Sequence, residues 1–329
     1  MKNFHLKMSN YSLIMDQPMS HASYFGIAVA LGIIGVAGFT MNFMVVLVII
    51  KDSQALWTPI NVIILNLVVG DALVAVLGNP VAFISAINEG WYWNHQVCIW
   101  YAFLMSTIGL ASIGNLTVMA VERWLLVARP MNSFSINFAL RVASGVWIYA
   151  LCLSLPPLLG WGSYGPEAGN VSCSVSWEVH DPETMSESYI TFLMTFGLVV
   201  PVIVISTSYF AIILTLKKVK RRAGGRGRRE AKVTKMVALM IIAFLVAWTP
   251  YAALAMAAQY FNVSLPAEIA VIPSLLAKSS ICYNPIIYAG LNGQFPRSFK
   301  KMFGIREATG RPGQSEATAM TTMSRPETA

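Results

Sequence analysis

Seven apolar runs, each long enough to cross a bilayer, occupy approximately residues 24–50, 60–86, 97–121, 139–160, 187–215, 233–259 and 267–291. A helical span needs about 20 predominantly apolar residues, and backbone in hydrocarbon must satisfy its hydrogen bonds internally. The sequence therefore reads as an all-α membrane protein, a seven-transmembrane helix bundle. Composition agrees, because only 12% of residues are charged and 56% are hydrophobic, whereas soluble domains carry about 25% charged residues. Residues 1–23 are mostly polar and show no cleavable signal pattern, so the first span is expected to start translocation itself.

Orientation follows from the distribution of lysine and arginine between spans. Lys217 to Lys232 holds nine cations against Glu230, while Trp161 to Ser188 holds no cation and five carboxylates. The two loops are expected on opposite sides, with the basic one cytoplasmic and the N-terminus extracellular. Most of the +8 net charge is then topology signal and not a nucleic-acid patch. An integral multi-pass protein of this orientation is expected in the plasma membrane. Cys98 and Cys173 both fall on the outer side, where an oxidising exterior favours a disulfide that pins the acidic loop over the bundle as a lid. Cys152 and Cys282 fall inside spans and read as packed small hydrophobes. Asn10, Asn170 and Asn262 begin Asn-x-Ser acceptors for glycosylation on the same outer side, while Asn115-Leu-Thr lies within a span.

The chain divides into an extracellular N-terminus 1–23, a seven-transmembrane domain 24–303 and a cytoplasmic tail 304–329 that reads as disordered. Phe295, Phe299 and Phe303, with Arg297, Lys300 and Lys301 between them, predict a short amphipathic helix over 293–303 on anionic membrane lipids. No internal repeat argues for a duplicated transporter fold, and no constellation of metal-ligating or hydrolytic residues points to a metal site or an enzyme.

Lys278 is the feature that points to chemistry. It lies in the middle of the seventh run, with no carboxylate between Ile269 and Leu291. A lysine at the centre of a span costs roughly 2.5–3.5 kcal/mol on insertion scales. It needs a counter-charge from elsewhere or a use for its amine, and a desolvated amine forms Schiff bases with carbonyl ligands. Away from the first turn or so of each run, the other charges are Asp71 and, at the end of the third run, the adjacent Glu122 and Arg123, a polar contact of the kind a switch needs. Prolines at Pro80, Pro156-Pro157, Pro201, Pro250 and in Asn284-Pro285-Ile-Ile-Tyr288 interrupt spans and free carbonyls that neighbours must satisfy.

In order and spacing, these landmarks resemble the rhodopsin-like G-protein-coupled receptors over residues 24–303: Asn42, Asn66 with Asp71, Glu122-Arg123-Trp124, Trp147, Pro201 with Tyr209, Ala247-Trp248-Thr249-Pro250 and the Asn-Pro-x-x-Tyr motif. Trp124 departs from the more usual tyrosine. Lys278 lies six residues before Asn284, which is similar to the retinal-binding lysine of opsins. Trp161 to Glu167 followed by Cys173 resembles the opsin lid. Glu230 to Met236 and Asn292-Gly-Gln-Phe resemble the ciliary branch, among encephalopsin-like, teleost multiple-tissue and invertebrate ciliary opsins.

The resemblance implies retinal, 11-cis in the dark, bound covalently to Lys278 in a light-sensing receptor. Tyr101 stands where vertebrate visual pigments carry a glutamate, so the resemblance moves the counterion to Glu167 on the lid. The family's pocket positions fall on Trp248, Tyr251, Ser106, Gly109 and Ser274. Its activation switch falls on Glu122, Arg123, Asp71, Asn284, Pro285 and Tyr288. Implied partners are a heterotrimeric G protein of the Gi, Go and transducin class, with arrestin and a receptor kinase acting on the tail. A lid carboxylate further implies a bistable pigment. The rival readings are a receptor for a diffusible ligand and a retinal photoisomerase or pump; a pump would want a relay of intramembrane carboxylates, which Asp71 and Glu122 alone do not supply.

Overall fold

The computed structural model describes residues 19–128, 134–219, 225–261, 263 and 265–304. Asn10, Asn262, the centre of the basic loop and the tail beyond Gly304 lie outside the described residues. Among the described residues, seven helices are long and apolar enough to cross a membrane. Span one is His21–Lys51, span two Pro59–Ile87, span three His95–Ala128 and span four Ile136–Ser154. Span five is Ser186–Thr215, span six Ala231–Phe261 and span seven Ala267–Leu291.

Where the spans depart from regular helix, proline is the reason. It has no N–H, and its ring clashes with the carbonyl four residues earlier. Pro80 follows a π-helical turn at Val74–Gly78, and Pro201 follows another at Thr195–Val199. Pro285 follows a tight 3-10 turn at Ser280–Cys282. In each case the carbonyl four residues before the proline falls inside the irregular turn, which moves it out of the way. Pro156-Pro157 ends span four at Ser154, short of the expected 160, and a 3-10 turn Pro156–Leu159 follows. Pro250, by contrast, lies within the continuous helix Gly225–Phe261, so the expected interruption of span six is corrected to a single unbroken element.

Buried amides join the spans, as expected where water is absent. Asn42 donates to the backbone oxygen of Ile281 at 2.8 Å, the carbonyl that Pro285 leaves without its helical donor. Asn66 donates to Asn115 Oδ1 at 2.8 Å and accepts from Trp147 Nε1 at 2.8 Å, tying spans two, three and four. Asn284 donates to Asp71 Oδ2 at 3.0 Å, and the Tyr288 hydroxyl donates to Asn61 at 3.3 Å. Leu67, Met119, Met240 and Tyr288 belong to one buried cluster, and Leu31, Tyr101, Cys98 and Tyr189 to another.

The acidic loop folds into a hairpin, with β1 Tyr164–Pro166 antiparallel to β2 Cys173–Val175 and Pro166 opposite Cys173. Cys98 and Cys173 are disulfide-bonded, so β2 is fixed to the outer end of span three and lies across the bundle. Gly162 enters this lid at φ +81°, a backbone region that side chains disfavour, and leaves room for the Tyr189 ring. After span seven, Phe295–Met302 forms the amphipathic helix; Phe295 is buried against Tyr288 with centroids 5.2 Å apart, while Phe303 is exposed. One expectation fails here: Cys152 is exposed on the outside of the bundle, because its helical position faces away from the neighbouring spans. Cys282 is partly buried, its thiol 3.8 Å from the Ile34 carbonyl.

Candidate functional site

A cavity of about 190 Å³ lies within the bundle beneath the lid. Tyr101, Ser106 and Gly109 line it from span three, Trp248 and Tyr251 from span six, and Ser274 and Lys278 from span seven. Glu167 reaches it from the turn between β1 and β2. All eight residues expected at a pocket thus face one space.

Lys278 is mostly buried, and its Nζ donates to Glu167 Oε2 at 3.4 Å, Ser172 Oγ at 3.3 Å and Ser274 Oγ at 3.3 Å. Ser274 is one helical turn before Lys278, so their side chains share a face. Glu167 arrives from 111 residues away. Its turn is closed by its own backbone N–H donating to Ser172 O at 2.8 Å, and the disulfide at Cys173 holds that turn over the cavity. The carboxylate accepts from the Tyr251 hydroxyl at 2.8 Å and from the Ser172 hydroxyl. Burial pushes the Glu167 pKa up, but the Lys278 ammonium and the hydroxyls of Ser172, Tyr251 and Ser174 outweigh it and hold the carboxyl below its ordinary range.

The aromatic side of the cavity is as ordered. Trp248 stacks on Phe244 with centroids 5.5 Å apart and meets Tyr251 edge-on at 6.0 Å. Its indole N–H donates to Ser280 Oγ at 3.2 Å. A Cβ at Gly109 would come within 3.1 Å of the Trp248 ring, so glycine there lets span three and the indole approach closely. The buried Tyr101 hydroxyl has no hydrogen-bond partner among the described residues. Ser172, Trp177 and Ser280 were missed in the sequence. Ser172 could have been found from its place beside Cys173, while Trp177 and Ser280 carry no distinguishing local signal.

At the inner end, Arg123 donates to Glu122 through Nη2 at 2.6 Å and through Nε, both residues being buried. Asp71 and Asn284 meet directly, Pro285 adjoins them, and Tyr288 reaches Asn61. Asn170 is half-buried between buried Gly169 and Val171.

Comparison with known proteins resolves what this arrangement belongs to. The model of the 7 transmembrane receptor (rhodopsin family) matches residues 41–288. The blue-sensitive opsin of Carassius auratus is 33% identical over 295 residues, spanning 87% of this chain and 84% of that protein. The pinopsin of Columba livia is 32% identical over 285 residues, spanning 85% and 81% respectively. The chain belongs to the opsins, within the rhodopsin family of seven-transmembrane receptors. Opsins of this family are light-sensing receptors, and the chain is accordingly a multi-pass membrane receptor and not an enzyme. The crystal structure of squid rhodopsin matches with a TM-score of 0.80 over 88% of this chain and 87% of that one, at 24% identity. This is likeness of fold.

Proposed function

We propose that this opsin-family receptor holds retinal, 11-cis in the dark, as a Schiff base on Lys278, with Glu167 as its counterion. One observation carries the reading: a buried amine at the wall of an apolar cavity, with a lid carboxylate 3.4 Å away. The cavity, about 190 Å³, is lined mainly by apolar and aromatic side chains with a few polar groups, as small-molecule sites are. When bound, retinal supplies visible absorption and a light-driven change of shape. Lys278 supplies the attachment and a positive charge. Glu167 compensates that charge, and the hydroxyls of Ser172 and Tyr251 hold the carboxylate in place. Trp248 and Tyr251 offer flat aromatic faces to a conjugated ligand. Ser106, Gly109, Ser274 and Tyr101 complete the wall.

Glu167 is carried by the lid and fixed through Cys98–Cys173, so motion of the inner halves of the spans leaves it beside Lys278. That favours a bistable pigment with a thermally stable, photoreversible product. On the inner side, release of Arg123 from Glu122, with rearrangement at Asp71, Asn284, Pro285 and Tyr288, opens a site for a G protein of the Gi, Go and transducin class. The Ser and Thr residues of the tail 304–329 suit a receptor kinase and arrestin. Cation placement supports an extracellular N-terminus (1–23), with Asn10, Asn170 and Asn262 as glycosylation acceptors.

The test is an absorption spectrum of retinal-reconstituted protein before and after illumination. The expected result is a visible band that photoconverts and returns under a second wavelength, and its absence in Lys278→Ala. A visible band retained in Lys278→Ala overturns the attachment site. Irreversible loss to free retinal overturns bistability.

A further inference from the structure

A second cavity, about 210 Å³, lies above the first, between the lid and the outer ends of spans six and seven. Exposed Pro166, Glu178, Val179 and Val263 form its rim. Its floor is Glu167, Ser174, Trp177, Tyr251 and Ser274, each of which also faces the deep cavity. Two of these, Glu167 and Ser274, touch Lys278 Nζ at 3.4 and 3.3 Å. One layer of side chains therefore separates the outer cavity from the amine. That layer is latched by hydrogen bonds, Trp177 Nε1–H donating to the Tyr251 oxygen at 3.0 Å and the Tyr251 hydroxyl donating to Glu167 at 2.8 Å. Elsewhere the walls are apolar, Leu254, Leu265 and Val271 alternating with Ala255, Ala258 and Ala270, whose small side chains leave the space open.

Buried cavities hold water when they are roomy and offer a water two to four polar partners; apolar ones stay dry. At roughly 30 Å³ per water in the liquid, this one has room for several waters. Its floor presents a carboxylate and the hydroxyls of Ser174, Ser274 and Tyr251. We infer that it is a hydrated antechamber through which water and small uncharged nucleophiles from the outer side reach the Lys278 linkage, with the Trp177–Tyr251 contact as its gate. The inference deepens the retinal reading and rests on it for one of its two tests.

Hydroxylamine is the probe for the first test. Its nitrogen adds to the carbon doubly bonded to Nζ, and the bond from that carbon to Nζ breaks. Two protons pass from the attacking nitrogen to Nζ, leaving the oxime and the free Lys278 ammonium. In the dark, the native pigment should lose its visible band to hydroxylamine. Ala270→Phe and Ala258→Leu, which fill the chamber without touching the deep cavity, should slow that loss several-fold, and Trp177→Ala should hasten it. A native pigment inert in the dark, or an unchanged rate in both filled variants, overturns the antechamber. The second test needs no retinal: Ala258→Cys in chromophore-free protein is exposed from outside to a membrane-impermeant methanethiosulfonate. The thiolate displaces methanesulfinate and forms a mixed disulfide. Labelling above that of the unsubstituted protein supports the chamber, and none overturns it. Failure to form any visible pigment would sink the retinal reading alone, since the labelling still decides the chamber.

Discussion

Glu167 and Lys278 each make sense only in the presence of the other. An ammonium and a carboxylate this deeply placed are costly singly, and removing one partner of a buried pair typically costs about 3–5 kcal/mol. Because the Glu167 pKa is lowered by folding, the stability it contributes is present above its ordinary value of 4.5 and is lost as pH falls through the lowered one. Chromophore-free protein should therefore melt at lower temperature on acidification, and Glu167→Gln should flatten that acid limb; identical pH profiles of Tm would refute the ion pair's role. In the pigment, Glu167→Gln should lower the Schiff-base pKa, since the protonated form loses its compensating charge. The dark band should move to the near ultraviolet at neutral pH and return in acid. Tyr101→Phe should change the titration far less, because the phenol is neutral. An unchanged titration in Glu167→Gln would place the counterion elsewhere.

Elements are held in register by a few polar contacts whose loss should be felt locally. The lid depends on Cys98–Cys173, and removing a native disulfide typically costs about 2–5 kcal/mol. Cys98→Ser or Cys173→Ser should reduce surface expression and leave Glu167 without a fixed position. Normal expression and an unshifted spectrum in either would remove the lid from the account. The amphipathic helix Phe295–Met302 is tied to the inner end of span one by Asp52, which accepts from Lys301 at 2.7 Å and Ser298 at 2.6 Å. Those hydrogen bonds, from Lys301 and then Ser298, lower the Asp52 pKa against the effect of burial. The tie is therefore complete above the ordinary value of 3.8 and is lost as pH falls through the lowered one. Asp52→Asn should speed amide hydrogen exchange across Phe295–Met302 at neutral pH, an effect the native protein shows only in strong acid. Equal exchange in the two proteins would show that the aromatic contacts of Phe295 hold this helix unaided.

At the scale of the whole molecule, a cavity beneath the lid must act on the opposite end of the bundle through the spans between. Trp248 links the cavity to Ser280, the first residue of the tight turn before Pro285, and Asn42 closes the carbonyl at that same turn. Below it, Asp71 with Asn284 and Tyr288 with Asn61 continue across spans two and seven. The Glu122–Arg123 contact lies at the inner end of span three. A light-driven change beside Trp248 thus has a packed, polar route inward. Glu122→Gln weakens the hold on Arg123 and should raise G-protein nucleotide exchange in the dark, measured in native-like membranes with and without illumination. Dark exchange no higher than in the unsubstituted receptor would separate that ion pair from the inactive state.

Span number, their approximate limits and the singular position of Lys278 were legible in the sequence, because hydropathy and charge are local properties that a bilayer reads segment by segment. The landmark motifs carried the family, and with it Glu167, Trp248 and the disulfide. Tertiary structure alone decided which side chains meet, since that depends on the rotation of each helix and the path of the lid. Ser172 touches Lys278 across 106 residues, a meeting set by the hairpin and its disulfide and by no spacing along the chain. Asn42 closes a carbonyl freed 239 residues later, and Cys152, apolar in context, turned out to face outward. The outer cavity is likewise a product of packing. It exists where a hairpin lies over the ends of two helices carrying small residues, and neither partner announces it by itself.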